Sequence, residues 1–363
     1  MITHALLMKA HQPQILAPDD HEDIRTSLDT LGYAVISVPT LDPSTIIGQF
    51  KHDLSEINDS LDPYQDKGFP AYLKEGVDYP RTQLRGLLGE YGLSQGTSAW
   101  MIRLDPTIQG LFASILSDAT CEHQDPSDLV CSTDAIGFSS KITPLTLQRQ
   151  RQSQNNPDDP PPARRWLHVD QAIDIPGSEI ASYQGIYYAH SVNGLSGAGT
   201  VVVPGSHLEH HMHNWGHPLT TRHFHIVDQD VYWDRAVKLD IPAGNILIYN
   251  SKLVHQGWDG ISRLCYMVSY GLASDRTEST RVRKIMMYLG GHRSTHWSQY
   301  GVYHGLKWRH GENWNLLEPR LSASITKDGR AIASLLLEEE KTTEEMYSPD
   351  MDEYIPPEIL GLM

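Results

Sequence analysis

The stretch Trp166-Leu167-His168-Val169-Asp170 sets a histidine and a carboxylate two positions apart in a segment of extended character. Side chains alternate along a strand, so His168 and Asp170 project from one face, as two ligands of a single metal ion must. An HxD pair also arises often by chance. In the competing reading His168 is a hydrogen-bonded core side chain and Asp170 opens a turn. Two later features favour the metal. A lone His255 follows 85 residues after Asp170, behind the strand-like NILIYN, and Arg263 enters the strand-like RLCYMVSYGL eight residues further on. Two histidines and one carboxylate form the facial set that holds non-haem iron(II) and leaves three positions open to other ligands. Read from its type alone, Arg263 is a surface ion-pair partner.

Elements that can position these residues are legible around them. HEDIRTSLDTLGYAVISV puts Ile24, Leu28 and Leu31 on one helical stripe, ends it with Gly32 and then turns to strand composition. A second helix opens at Ser44 with Ile46, Ile47, Phe50, Leu54 and Ile57 on a stripe. A third opens at Asp105-Pro106, where the acid caps and the proline takes the first helical position. From about residue 129 short Val, Ile, Thr and Tyr runs alternate with Gly, Pro, Asn and Asp. The strand candidates are LVCSTDAIGF, RRWLHVD, YQGIYYAHSV, GTVVVPG, AVKLDI, NILIYN and RLCYMVSYGL. Many short strands between turn signals predict an antiparallel sandwich or barrel.

Three further stretches are not strand-like. Residues 147–164, rich in Gln, Asn, Asp and Pro, read as an exposed insertion. Residues 207–225 hold seven of the 19 histidines, but their spacing repeats no ligand template, so a solvated loop is expected. DQDVYWD, 228–234, lacks the central glycine of a calcium loop and reads as an ordinary polar connection.

Composition narrows the function classes. With 29 Lys and Arg against 45 Asp and Glu, the formal charge of −16 offers no basic excess to track phosphates, which disfavours nucleic acid. No apolar run approaches the length of a membrane span, so no membrane is expected. Cys121, Cys131 and Cys265 are odd in number and contain no CxxC, which fits a reducing, cytoplasmic setting.

In order and register, residues 22–275 resemble the phytanoyl-CoA dioxygenase-like family of iron(II)/2-oxoglutarate oxygenases. The likeness is carried by LDTLGYAVI, HVDQ, GTVVVPGSHL, LVHQG and SRLCYMVSYG. It implies a mainly β chain with flanking helices and a double-stranded β-helix (jelly-roll, cupin-like) core. It implies that His168, Asp170 and His255 are the metal ligands and catalytic centre, with Fe(II), 2-oxoglutarate as co-substrate and O2. Arg263 would then hold the far carboxylate of 2-oxoglutarate, a task suited to a planar guanidinium. Gly257 stands two positions after His255, where some members carry a hydroxyl, so Arg263 needs another partner, for which Tyr187 is the candidate. Trp166 and Gln171 flank the ligand pair as candidate substrate contacts. The carboxylate at 170 favours hydroxylation over halogenation.

The implied activity is oxidation of a C–H bond in a small organic substrate, with release of succinate and CO2. Two alternatives stay open: a non-catalytic metal-binding jelly-roll module, and an iron dioxygenase that does not use 2-oxoglutarate. The expected organisation is a loose N-terminal arm, 1–20, and a single oxygenase domain, 21–320. That domain comprises a helical front, 21–128, a core, 129–275, and an aromatic, histidine-rich extension, 276–320. A C-terminal helix and acidic tail fill 321–363. Neither the substrate nor an oligomeric state is encoded in these motifs.

Overall fold

The computed structural model describes residues 8–57, 87–88, 93–117, 125–139, 165–171, 182–209, 225–258, 260, 262–289, 294, 296 and 355–363. The insertion at 147–164, residues 210–224 of the histidine-rich stretch and the acidic run before Ile355 lie outside them.

Local signals set the first elements. Strands β1 (Lys9–His11) and β2 (Ile15–Leu16) precede helix α1 (His21–Leu31), which buries Ile24 and Leu28 and leaves Leu31 exposed. Gly32 ends α1 at φ +81°, a left-handed conformation that a Cβ would oppose, and its N–H bonds to Leu28 O. Strand β3 (Tyr33–Ser37) follows at once. Next come α2 (Pro43–Ile57), β4 (Leu87–Leu88), α3 (Thr97–Arg103) and α4 (Pro106–Leu116). Asp105 caps α4 through a 3.0 Å bond from Ile108 N–H, with Pro106 at the first helical position.

The β-rich part opens with β5 (Leu129–Cys131), β6 (Ile136–Ser139), β7 (His168–Val169), β8 (Tyr183–His190), β9 (Gly199–Val202) and β10 (His225–Ile226). After the short helix α5 (Gln229–Tyr232) come β11 (Val237–Leu239), β12 (Asn245–Asn250), β13 (His255–Trp258), β14 (Arg263–Val268) and β15 (Tyr270–Leu272). Helix α6 (Glu278–Leu289) follows, and α7 (Pro357–Gly361) closes the chain. Asp228 caps α5 by accepting from Asp230 N–H, so DQDVYWD opens a short helix where a polar loop was expected.

Two sheets face one another. The smaller has the order β1-β11-β9-β13-β7-β10 and the larger β2-β3-β12-β8-β14-β6-β4. From β7 to β9, and again from β11 to β14, consecutive strands alternate between sheets, which is the winding of a double-stranded β-helix. Tyr33, Val35, Ile186, Tyr188, Leu247, Tyr249 and Cys265 of the larger sheet meet Val202 and Leu239 of the smaller in an interior layer. The opposite face of the larger sheet, with Ile36, Tyr187, Ile246, Ile248, Leu264 and Tyr266, packs on Phe50, Ile108, Phe112 and Ile285 of the helices. A mainly β jelly-roll with helices on one face is therefore the observed architecture.

The N-terminal end departs from expectation. The arm read as loose supplies an edge strand to each sheet from Met8 onward. β1 runs parallel to β11 and β2 parallel to β3. At the other end Ile355, Ile359, Leu362 and Met363 join the helix-side core, and Leu362 O accepts from Cys131 N–H at 2.9 Å. Backbone pairing over long sequence distances overrides the polar, aperiodic look of residues 8–16. No helix among the described residues is long and apolar enough to cross a membrane.

Candidate metal centre

Strand alternation assembles the centre. Leu167 and Val169 are buried in an apolar cluster on the outer face of the smaller sheet with Val201, Val203 and Val254. Trp166, His168 and Asp170 therefore share the inner face. Val254 packs outward by the same rule, and His255 turns inward on β13, directly opposite His168 in register. Asp170 sits one residue past β7, where its N–H and that of Gln171 both bond to Ser251 O, at 3.1 and 3.0 Å.

The three side chains converge while staying buried, at 4%, 5% and 6% exposure for His168, Asp170 and His255. His168 Nε2 lies 3.7 Å from Asp170 Oδ1, and His255 Nε2 lies 3.3 Å from Asp170 Oδ2. One ligand atom from each falls within 4.8 Å of the others. Cis donors on a metal with bonds of about 2.1 Å stand about 3 Å apart, so the two carboxylate contacts are near that spacing.

The tautomers agree with this use. His168 Nδ1 is 3.1 Å from Trp166 O and His255 Nδ1 is 2.9 Å from Leu253 O, so each Nδ1–H donates to a carbonyl. Each Nε2 then faces Asp170, the orientation that backbone acceptors on Nδ1 impose on metal-binding histidines. Burial, helped by neighbouring His255, lowers the His168 pKa to about 3 and keeps the ring neutral. Burial raises the Asp170 pKa, but His296, His255 and His168 lower it by more, so the group is a carboxylate. Two buried imidazoles and a buried carboxylate fit a divalent cation chemically.

Among the other predicted residues, Trp166 stacks on His168 with ring centroids 4.6 Å apart at 14°, and thereby steadies that ring. Gln171 is buried beside Asp170. Arg263 is 5% exposed, not a surface ion-pair partner, and its Nη1 donates to Gly199 O across the sheets at 2.8 Å. Gly137 on β6 makes room for Cys265, which lies two residues along β14 from Arg263. A Cβ there would stand 2.5 Å from Cys265 Sγ and 3.5 Å from Arg263 Nη2.

Tyr187 does not meet Arg263. Its side chain belongs to the helix-side layer, where its hydroxyl donates to Leu41 O at 3.3 Å. Its neighbour Tyr188 points inward, contacts Arg263 by a side-chain hydrogen bond and shares a 2.7 Å bond with Thr200 Oγ1. The assignment of Tyr187 as the arginine's partner is thus corrected by one residue.

Three contributors had no sequence signal. Gln184 Nε2 donates to Asp170 Oδ2 at 2.9 Å and to Ser251 Oγ at 3.1 Å. Tyr249 donates its hydroxyl to Gln184 Oε1 at 3.0 Å and lies 3.5 Å from His255 Nε2. His296 reaches the centre electrostatically from beyond α6, through a segment that Ser294 pins to Thr133 by bonds of 2.8 to 3.1 Å. Of the histidine-rich stretch, only His207, His225 and the two residues after His207 are described. His207 contacts Asp29 O and His225 pairs with Val169 in the sheet, so both serve structure.

The sequence matches no protein-family model and no curated protein. Several solved structures align with the chain. An epimerase, SnoN, in complex with Fe3+, alpha ketoglutarate and nogalamycin RO is 12% identical over 70% of this chain and 84% of its own, with a TM-score of 0.40. A non-heme monooxygenase, ThoJ, is 14% identical over 69% and 77%, at 0.39. AviO1 from Streptomyces viridochromogenes is 14% identical over 69% and 94%, at 0.37. The architecture given above rests on this chain's own sheet order and register.

Proposed function

We propose that this chain is an iron(II)- and 2-oxoglutarate-dependent oxygenase of the phytanoyl-CoA dioxygenase-like type that hydroxylates a small organic molecule. The observation that carries the reading is the pair of buried imidazoles whose Nδ1 atoms are tied to backbone carbonyls and whose Nε2 atoms face one buried carboxylate. His168, Asp170 and His255 would hold the metal. When bound, iron with 2-oxoglutarate and dioxygen supplies oxidation of a C–H bond coupled to release of succinate and CO2.

The protein's part is to hold and orient. Arg263 would take the far carboxylate of 2-oxoglutarate, steadied by Tyr188. Its guanidinium bonds to Gly199, which pairs with Trp258, three residues along the strand pair from the Val202–His255 partnership. At about 3.3 Å per residue that is about 10 Å, a separation that suits a five-carbon diacid chelated at its other end. Trp166 would keep the His168 ring in place and Gln171 would line the approach of substrate. The described cysteines, Cys131 and Cys265, are free and buried, which supports a cytoplasmic setting.

The test is substrate-stimulated decarboxylation of 2-oxoglutarate. Alanine at His168 or Asp170 should abolish turnover in a protein that still folds. Full turnover in both variants would defeat the assignment.

A further inference from the structure

Asp170 comes from the smaller sheet, but one of its oxygens is held from the larger one. Gln184, 5% exposed on β8, reaches across the interior and donates to Oδ2 at 2.9 Å, while the same amide donates to Ser251 Oγ. Tyr249 is Gln184's register partner on β12, and its hydroxyl donates to Oε1 at 3.0 Å. That bond settles the orientation of the amide. With the amide reversed, its oxygen would face a carboxylate oxygen, and neither could donate. Ser251 completes the hub. Its carbonyl holds the Asp170 and Gln171 amides, and its hydroxyl donates to Ser182 Oγ at 3.1 Å.

We propose that Gln184 is a positioning residue which occupies Oδ2 of Asp170, so that the carboxylate offers a metal one oxygen instead of two and keeps a further metal position open. The alternative, an amide that merely fills a polar gap between sheets, does not require its donor side to be fixed by a second side chain. Outer hydrogen bonds of this kind typically alter metal affinity by about 10- to 100-fold when removed. The inference rests on the metal reading of the three side chains, but not on 2-oxoglutarate.

Cobalt(II), with its visible ligand-field bands, is the probe. Titrated into the full chain, it should bind Gln184→Leu about 10- to 100-fold more weakly than the unaltered protein. The band shape should change as the carboxylate becomes free to chelate. Tyr249→Phe, which frees the amide to turn, should shift both readouts in the same direction by a smaller factor. Thermal melting of the metal-free proteins separates a structural role, which would lower the melting point and leave affinity and spectrum alone. Cobalt affinities within twofold and unchanged spectra in folded variants would overturn the inference; if Gln184→Leu fails to fold, an unchanged Tyr249→Phe does so alone. Unaltered protein that binds no cobalt would overturn both this inference and the oxygenase reading. Cobalt binding without 2-oxoglutarate binding would sink only the latter.

Discussion

Arg263 separates the proposed enzyme from an iron dioxygenase that needs no 2-oxoglutarate. Its guanidinium is buried between the sheets, bonded to Gly199 O and to Tyr188. A carboxylate held there would be paired with little solvent screening, and removing one partner of such a buried pair costs about 2 to 5 kcal/mol. At about 1.4 kcal/mol per decade, Arg263→Ala should weaken 2-oxoglutarate binding by roughly 30- to 3000-fold. Arg263→Lys keeps the charge but loses the fork and should fall between the two. Tyr188→Phe removes one hydrogen bond to the charged guanidinium, about 1.5 to 3 kcal/mol, and should cost at most roughly 10- to 150-fold. Tyr187→Phe, on the other face of the sheet, should leave binding unchanged. Isothermal titration of 2-oxoglutarate into the iron-loaded protein under nitrogen reads all four, and circular dichroism confirms folding. A dissociation constant for Arg263→Ala within threefold of the unaltered value would refute the assigned role.

Two predictions concern the scaffold. Lys284 on α6 is 1% exposed with Nζ bonded to Cys131 O at 2.6 Å, and burial, abetted by Arg276 and Arg103, lowers its pKa to about 7. The unfolded chain then binds more protons between about pH 7 and pH 10.5, so stability rises with pH across that window by up to about 1.4 kcal/mol per unit. Urea midpoints should climb from pH 7 to about pH 9.5 in the unaltered protein and stay flatter in Lys284→Met; parallel curves would exclude a depressed lysine. Deleting residues 355–363 exposes the sites of four buried apolar side chains, each contributing about 1.5 to 3 kcal/mol as an upper bound. That loss is comparable to the whole stability of a typical domain, about 5 to 15 kcal/mol, so the truncated chain should melt far lower or fail to fold. An unchanged melting temperature would show that α7 is not part of the core.

How far the sequence spoke depended on whether a signal was local. Gly32 and Asp105-Pro106 state their own backbone conformations, and the ends of α1 and α4 follow from them. His168 and Asp170 share a face because strand parity is a rule of covalent geometry, and the structure brings them together with His255. The Tyr187 assignment failed on the same parity. YQGIYYAH is apolar on both faces because β8 is covered on both, so no alternation says which tyrosine looks inward. Strand β13, HQGW, has little strand propensity and exists because β7 and β9 flank it. Gln184 and Tyr249 became neighbours of Asp170 only when β8 paired with β12 and the two sheets closed. Contacts of that kind have no signature in a single sequence.

The central claim is that His168, Asp170 and His255 hold iron and that 2-oxoglutarate chelates it. The direct measurement is the visible spectrum of the protein mixed with ferrous iron and 2-oxoglutarate without oxygen. The account predicts a weak charge-transfer band that vanishes in Asp170→Ala and weakens in Arg263→Ala. Absence of that band from folded, iron-loaded protein would contradict it.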